Sequence, residues 1–285
     1  MILAAGLGTR LRPLTDVRAK PLVPVGDRPA LAHAIERLRA AGVTRVVVNA
    51  HHRAEDIRAF VLALAQARGG VTVSEERELL GTAGGLARAR ALLGEGDVLV
   101  WNADILATVD PRALVEHHAR ERAEATLVVQ PMAPGAGSVG LDAEGRIVRL
   151  RRERFAEEAS GGEFLGVHVL GAALRARLPE RGGLVEDVLL PALARGETLR
   201  AMPYAGRWHD IGTVAAYLAA NRAWLEQRGL ASWVGPGAHV AEAVTLDACI
   251  VGAGAAVVGQ GALAGCVVWP GARAAAPMQG AVVTS

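Results

Sequence analysis

The chain has 285 residues, 51% of them apolar, enough for one large core or for a large domain beside a smaller one. Its formal net charge is +2, and basic residues alternate with acidic ones, as over 119–124, which reads as a solvated face rather than a nucleic-acid footprint. Apolar runs stay short of the ~20 residues of a membrane span, no basic leader precedes the first strand, and two cysteines make neither a disulfide framework nor a zinc site; a cytoplasmic protein is expected.

Up to residue 228, strand and helix patterns alternate. Apolar, β-branched runs at 2–4, 45–49, 71–74, 98–101 and 126–129 predict buried strands, and the segments 30–41, 54–67, 83–93 and 111–122 predict helices between them. Such alternation implies right-handed βαβ units and an α/β fold with a mostly parallel sheet and helices on both faces. The middle is less regular: 138–142 and 146–150 predict a short hairpin, and 164–170 another strand. A long helix over 214–227 ends at Gly229. The adjacent histidines His51-His52 and His117-His118 point different ways on their elements, so metal binding is not expected of them.

After a linker at 229–233 the texture changes. From 234 to 285 an aliphatic residue followed by small ones recurs every five to seven positions, as in Val251-Gly-Ala-Gly-Ala and Val268-Trp-Pro-Gly-Ala. Units that cannot bury a face alone must stack as a solenoid. The pattern resembles the hexapeptide repeat of left-handed β-helices and predicts barely two coils. Cys249 and Cys266 hold equivalent places, so they should stack as buried, reduced thiols. The open end of so short a solenoid suggests a homo-oligomer, with the tail serving assembly rather than turnover.

The residues that bear chemistry begin in the first βα turn, Leu3-Ala4-Ala5-Gly6-Leu-Gly8-Thr9-Arg10. Glycines directly after a strand let backbone N–H groups approach a phosphate. Behind them stands Lys20, followed by Pro21. Of 31 basic side chains it is the single lysine, and a compact ammonium spared among arginines implies a specific task. Arg10 and Lys20 together can hold the two phosphates of a leaving pyrophosphate.

Leu3-Ala-Ala-Gly-x-Gly-Thr-Arg-Leu followed by Lys20-Pro-Leu resembles the signature of the sugar-1-phosphate nucleotidyltransferases, whose fold is Rossmann-like and which often end in a left-handed β-helix. The resemblance implies transfer of a nucleotide from a nucleoside triphosphate to a sugar 1-phosphate, with Mg2+ as cofactor. Glu78, Gly81, Thr82 and Gly84 match the segment that reads the nucleobase, Thr82 being also a plausible helix cap. Asp104, after Asn102 at a strand end, and Asp210, in Trp208-His-Asp-Ile-Gly-Thr, match the two carboxylates that share the metal; a helix cap is the other reading of Asp210. Asn102, Gly137 and Gly166 match positions that contact the sugar, and Glu186 lies in a segment the family shares.

One family feature is missing. Many members carry a Glu-Lys-Pro after the central hairpin, whereas this chain has no lysine beyond position 20; Arg151 or Arg152 stands nearest. Short uridylyltransferases acting on N-acetylmuramate 1-phosphate share that gap. The Leu-Gly-Thr-Ala-Gly segment is similar to that of mannose-1-phosphate guanylyltransferases, which favours GTP with mannose 1-phosphate over UTP with a hexose or amino-sugar 1-phosphate. A hexapeptide acyltransferase and a non-catalytic nucleotide-sugar sensor are the readings from other classes.

Overall fold

The first apolar run lies in the middle of the main sheet. The structure, a computed structural model, describes residues 1–285, the side chains of Ala67 and Arg68 excepted. Strand β1 (Ile2–Leu3) pairs in parallel with β2 (Val46–Ala50) on one side. Outside β2 runs β3 (Val71–Glu75), also parallel. On its other side β1 meets β4 (Val98–Asn102). All five residues of β2 are buried, as expected of a strand covered on both faces. Beyond β4 the sheet continues through β6 (Ser160–Leu170), β5 (Ala125–Met132) and β7 (Leu199–Pro203). Only β6 runs against its neighbours in the order β3-β2-β1-β4-β6-β5-β7.

The predicted helices form with small shifts. They are α1 (Ala30–Ala40), α2 (Ala54–Arg68), α3 (Gly81–Arg88), α4 (Pro111–Glu121) and α5 (Val214–Glu226). The expected helix over 83–93 starts two residues earlier and breaks at Ala89, where a separate turn, Arg90–Leu93, begins. Asp110 caps α4 by accepting from the Arg112 N–H at 2.9 Å, with Pro111 at the first helical position.

The middle hairpin, Val139–Leu141 with Ile147–Leu150, is antiparallel as predicted and joins β6 through 160–162. Its organiser is Arg149, a buried arginine. The guanidinium donates to Glu158 at 2.8 and 3.0 Å and to the carbonyls of Ala136, Gly137, Val139 and Arg151. A planar fork of five N–H donors, one of them shared, can meet all six acceptors at once. Hydrogen bonding to Arg149 holds the Glu158 carboxyl down at about 2.

By internal contacts the chain divides into two compact units, Met1–Gly6 with Ala34–Trp208, and Leu7–His33 with His209–Ser285. The first contains the main sheet and a core that includes Val47, Leu86, Val100, Leu127, Leu174 and Leu189. The second gathers the signature turn, α5 and a parallel β-helix. One face of the β-helix stacks Trp233–Val234, Ile250–Val251, Val267–Val268 and Val282–Val283. Stacked partners such as Trp233, Ile250 and Val267 lie 17 residues apart. Four strands on one face correct the expectation of barely two coils, because the stacking continues past the last repeat unit legible in the sequence, through Arg273–Gln279 and Val282–Val283. Cys249 and Cys266 are buried and free, on successive turns, with the Cys266 N–H 3.4 Å from the Cys249 sulfur.

One core residue has no matching chemistry around it. His168, on β6, is buried with neither ring nitrogen hydrogen-bonded, and Phe164 packs edge-on against it. Burial lowers its pKa to about 3. Below pH 6.5 the unfolded chain therefore binds a proton that the folded chain refuses. Stability from this site is complete above pH 6.5 and falls by about 1.4 kcal/mol per pH unit toward pH 3. The variant His168→Leu should lose less stability than the wild type between pH 7 and pH 5 in urea unfolding, and equal losses would refute the assignment.

Candidate active site

The signature turn is built on one left-handed glycine. Gly8 has φ +66°, and a Cβ there would fall 2.7 Å from Thr15 Cγ2 and 3.1 Å from Lys20 Cβ. Its carbonyl accepts from the Thr15 hydroxyl at 3.0 Å. Thr9, Arg10 and Leu11 then make a short 3-10 turn that leaves Thr9 and Arg10 exposed and Leu11 buried. Lys20 opens a second such turn. Its ammonium lies 3.9 Å from Asp210 Oδ1, with only 12% of the side chain exposed. A Cβ on Gly212 would stand 2.9 Å from Asp210 Oδ1 and 3.1 Å from an Arg10 guanidinium nitrogen. Three of the residues singled out in the sequence, Arg10, Lys20 and Asp210, thus converge although Asp210 lies far along the chain.

Asp210 is not a helix cap. It ends the strand Trp208–Asp210, and α5 is capped by Thr213, whose hydroxyl accepts from the Ala216 N–H at 3.2 Å. Asp210 Oδ1 is shielded from water and accepts no hydrogen bond. An unsatisfied carboxylate oxygen beside an ammonium fits a hard cation such as Mg2+. Among the described residues no group of three or more His, Cys, Asp or Glu could hold a metal by itself. A cation at this carboxylate would therefore complete its shell with phosphate oxygens and water, as magnesium commonly does. The histidine pairs have other partners: His51 Nδ1 lies 3.0 Å from the Glu76 carbonyl, and His118 Nδ1 lies 2.9 Å from Thr126 Oγ1.

In the other unit, the end of β1 is fixed by a buried polar chain. The Ala4 N–H donates to Asn49 Oδ1 at 2.7 Å, and Asn49 Nδ2 donates to Glu76 Oε1 at 2.7 Å. Glu76 Oε2 accepts from the Leu80 N–H at 3.1 Å. This chain ties the strand end, where Leu3 is half-buried and Ala5 buried, to the entry of α3; Gly6, beyond them, is exposed. Sequence reasoning missed Asn49 and Glu76. The available signal was an asparagine inside an otherwise apolar, fully buried strand.

The base-reading segment is arranged differently from its expectation. Thr82 does not cap α3: its hydroxyl accepts from the Leu184 N–H at 2.7 Å, and α3 has no side-chain cap. The backbone of 80–84 is instead bonded to 182–184, through Ala83 N–H to Gly182 O at 3.0 Å and Gly182 N–H to Leu80 O at 2.8 Å. A Cβ on Gly81 would meet Gly182 O, and one on Gly84 would meet Glu180 O and Arg181 Cα. Glu78 is exposed and ion-paired with Arg181.

Asp104 lies half-buried just after the C-terminal end of β4, the end at which open α/β sheets receive ligands. The turn around it is held by Ala103 N–H to Leu3 O at 2.9 Å and by Trp101 Nε1–H to Ile105 O at 2.9 Å. Asn102 is brought against Gly166, where a Cβ would fall 2.5 Å from Asn102 Nδ2. Gly137 is not beside them in the same sense; it packs against Gly162 O, and its carbonyl accepts from Arg149. Arg151, exposed, is ion-paired with Glu186, and Arg152 is exposed.

Comparison with known proteins follows this geometry. Residues 1–227 match the family described as Nucleotidyl transferase. A probable mannose-1-phosphate guanylyltransferase 1 of Oryza sativa subsp. japonica is 32% identical over 96% of this chain and 78% of its own length. A mannose-1-phosphate guanyltransferase of Schizosaccharomyces pombe is 33% identical over 79% of this chain and 64% of its own. Among solved structures, HddC from Yersinia pseudotuberculosis complexed with GMP-PN superposes with a TM-score of 0.66 at 22% identity, covering 78% of this chain and 97% of that one. A putative glucose-1-phosphate thymidylyltransferase from Bacillus anthracis gives 0.66 at 24% identity, over 78% of this chain and 93% of that one. These two establish the fold, and the match over residues 1–227 together with the rice relative establishes the kinship: the chain belongs to the nucleotidyl transferase family.

Proposed function

We propose that the chain transfers GMP from GTP to mannose 1-phosphate, releasing pyrophosphate and a nucleotide sugar. The observation that carries the reading is the convergence of Arg10, Lys20 and Asp210 behind the glycine turn. The choice of substrates draws on the relatives named mannose-1-phosphate guanylyltransferase at 32–33% identity. UTP with an amino-sugar or hexose 1-phosphate is the second reading, favoured by one observation, the absence of any lysine beyond Lys20. A panel of four nucleoside triphosphates against several sugar 1-phosphates, read as pyrophosphate release, separates the two.

In the proposed step a phosphate oxygen of the sugar 1-phosphate forms a bond to the α-phosphorus of the triphosphate. The bond from that phosphorus to the bridging oxygen breaks, and pyrophosphate leaves with the electron pair. Asp210 would hold magnesium, which when bound neutralises phosphate charge; Asp104, in its own unit, is the other carboxylate proposed for metal. Arg10 and Lys20 hold the leaving phosphates and oppose the charge that builds on them. Backbone N–H groups of the turn from Leu3 to Thr9 line the triphosphate, and Glu78, Gly81, Thr82 and Gly84 border the base. Asn102, Gly137 and Gly166 border the sugar. No covalent enzyme intermediate is needed, so positioning and charge supply the rate. Two buried free thiols accord with a reducing, cytoplasmic setting. The β-helix offers the surface through which copies of the chain would associate.

Lys20→Ala should lower kcat for pyrophosphate release by about a hundredfold while the fold is kept, since one such contact contributes about 3 kcal/mol in the transition state. Lys20→Arg should be impaired too, and wild-type turnover in that variant would remove the argument for the ammonium. Because Thr213 caps α5, Asp210→Asn should leave the thermal midpoint near that of the wild type yet abolish magnesium-dependent turnover. An Asp210→Asn protein with full activity would show that the carboxylate is not a ligand.

A further inference from the structure

The segment that bears Lys20 is gripped from a distant part of the same compact unit. Trp269 follows the third stacked strand of the β-helix, Val267–Val268, and is 1% exposed. Its Nε1–H donates to the Tyr217 hydroxyl at 3.0 Å. Tyr217, on α5 and wholly buried, passes the interaction on by donating to the Pro24 carbonyl at 2.5 Å. One helical turn further, Asn221 accepts from the Gly26 N–H at 2.9 Å and donates to the Tyr217 carbonyl at 3.0 Å. Gly26 has φ +62°, and a Cβ there would lie 2.0 Å from the Trp224 ring, so only glycine allows this approach. At the other end of the segment, the Arg18 guanidinium stands 5.1 Å above the Trp269 ring.

Lys20 therefore lies between two anchors that share one side chain. The indole ring of Trp269 stacks under Arg18, two residues before the lysine. Its N–H fixes the tyrosine that holds Pro24, four residues after it. A buried indole N–H and a buried phenol each require a partner, and here the partners form a single line from the β-helix to the signature segment. We infer that Trp269 is a positioning residue for Lys20, so that the β-helix sets the placement of the ammonium as well as any assembly role. The inference rests on the nucleotidyl-transfer reading of Lys20. It reverses the expectation that the tail is dispensable for turnover: a chain cut near residue 232 loses Trp269, and with it the ring under Arg18 and the N–H that fixes Tyr217.

The test uses the full-length chain and three variants, Trp269→Phe, Tyr217→Phe and Trp269→Ala. Trp269→Phe keeps an aromatic ring under Arg18 but loses the N–H together with the second ring of the indole, whereas Tyr217→Phe removes only the hydroxyl. Amide hydrogen exchange over 18–26 should speed up about tenfold in Trp269→Phe and in Tyr217→Phe, while the stacked strands Ile250–Val251 and Val267–Val268 keep wild-type protection. In pyrophosphate release, kcat should fall about fivefold in Trp269→Phe and further in Trp269→Ala, with little change in KM for the triphosphate, because the ammonium serves charge that develops after binding. Combined with Lys20→Ala, Trp269→Phe should have no further effect on kcat, as expected when one residue acts through the other. Wild-type exchange over 18–26 in Trp269→Phe overturns the inference, and so does an equal loss of kcat with and without Lys20. Should Trp269→Ala fail to fold, the two phenylalanine variants decide the matter. If the wild type releases no pyrophosphate from any substrate pair, the functional reading fails, and the exchange data still decide whether Trp269 positions the segment.

Discussion

The site depends on keeping an ammonium and a carboxylate together that are almost the whole nucleotidyl transferase segment apart in sequence. Lys20 and Asp210 stand at 3.9 Å, with most of the lysine out of water. A flexible four-carbon chain with a strongly hydrated head loses entropy and hydration in such a place, and an ion pair at that separation returns little by itself. The geometry is therefore imposed from outside. Gly8 closes one side of the lysine, α5 holds the backbone beyond it, and Thr213 takes over the helix cap so that Asp210 need not serve there. Each of these contacts leaves one of the two charged groups open for the role proposed for it.

The main sheet solves a related problem by a different route. A strand of two residues, Ile2–Leu3, cannot fix the direction in which the chain leaves it. The buried line from Ala4 through Asn49 and Glu76 to Leu80 does so, because each member is satisfied and none can shift without orphaning another. The same line joins the end of β1 to the entry of α3, the two places where the triphosphate and base are proposed to lie. Polar groups inside an apolar strand are costly unless paired, which makes this network a determinant of one arrangement rather than of stability in general.

Much of this was legible in the sequence, and the boundary of legibility has a physical cause. Apolar period and glycine placement gave the strands, the main helices and the β-helix, because burial patterns are local. The glycine turn, Lys20 and the Asp210 segment stood out in the sequence by residue type, and the structure brings Arg10, Lys20 and Asp210 together. What escaped was everything that depends on which distant backbone a side chain meets. Thr82 has the composition of a cap but bonds to Leu184; Gly84 has the smallness of a base-binding residue but packs on Glu180 and Arg181. Asn49 and Glu76 carry no local pattern beyond a polar residue in a buried run. The turn count of the β-helix was misjudged because the aliphatic repeat fades after Val268, whereas stacked backbone partners carry the coil on to Val282–Val283.

The division of labour between arginine and lysine follows from the same contacts. Arg149 satisfies four carbonyls and a carboxylate at once, and Arg175 reaches the carbonyls of Gly94 and Gly96 from a buried position. Arg177 forks onto Glu197. A planar guanidinium with fixed donors suits such static tasks, since its geometry is set before folding. At position 20 the requirement is different. The space beside Gly8 and Thr15 is narrow, and the partner is a carboxylate oxygen left without hydrogen bonds. A guanidinium there would fork onto Asp210 and satisfy the oxygen that is proposed to meet a cation. A compact ammonium can neutralise charge while leaving the carboxylate open, and it can turn its three donors toward oxygens that appear only when substrate is bound. The single lysine of the chain thus stands where a rigid fork would occupy the unsatisfied carboxylate oxygen of Asp210 and a compact ammonium leaves it open.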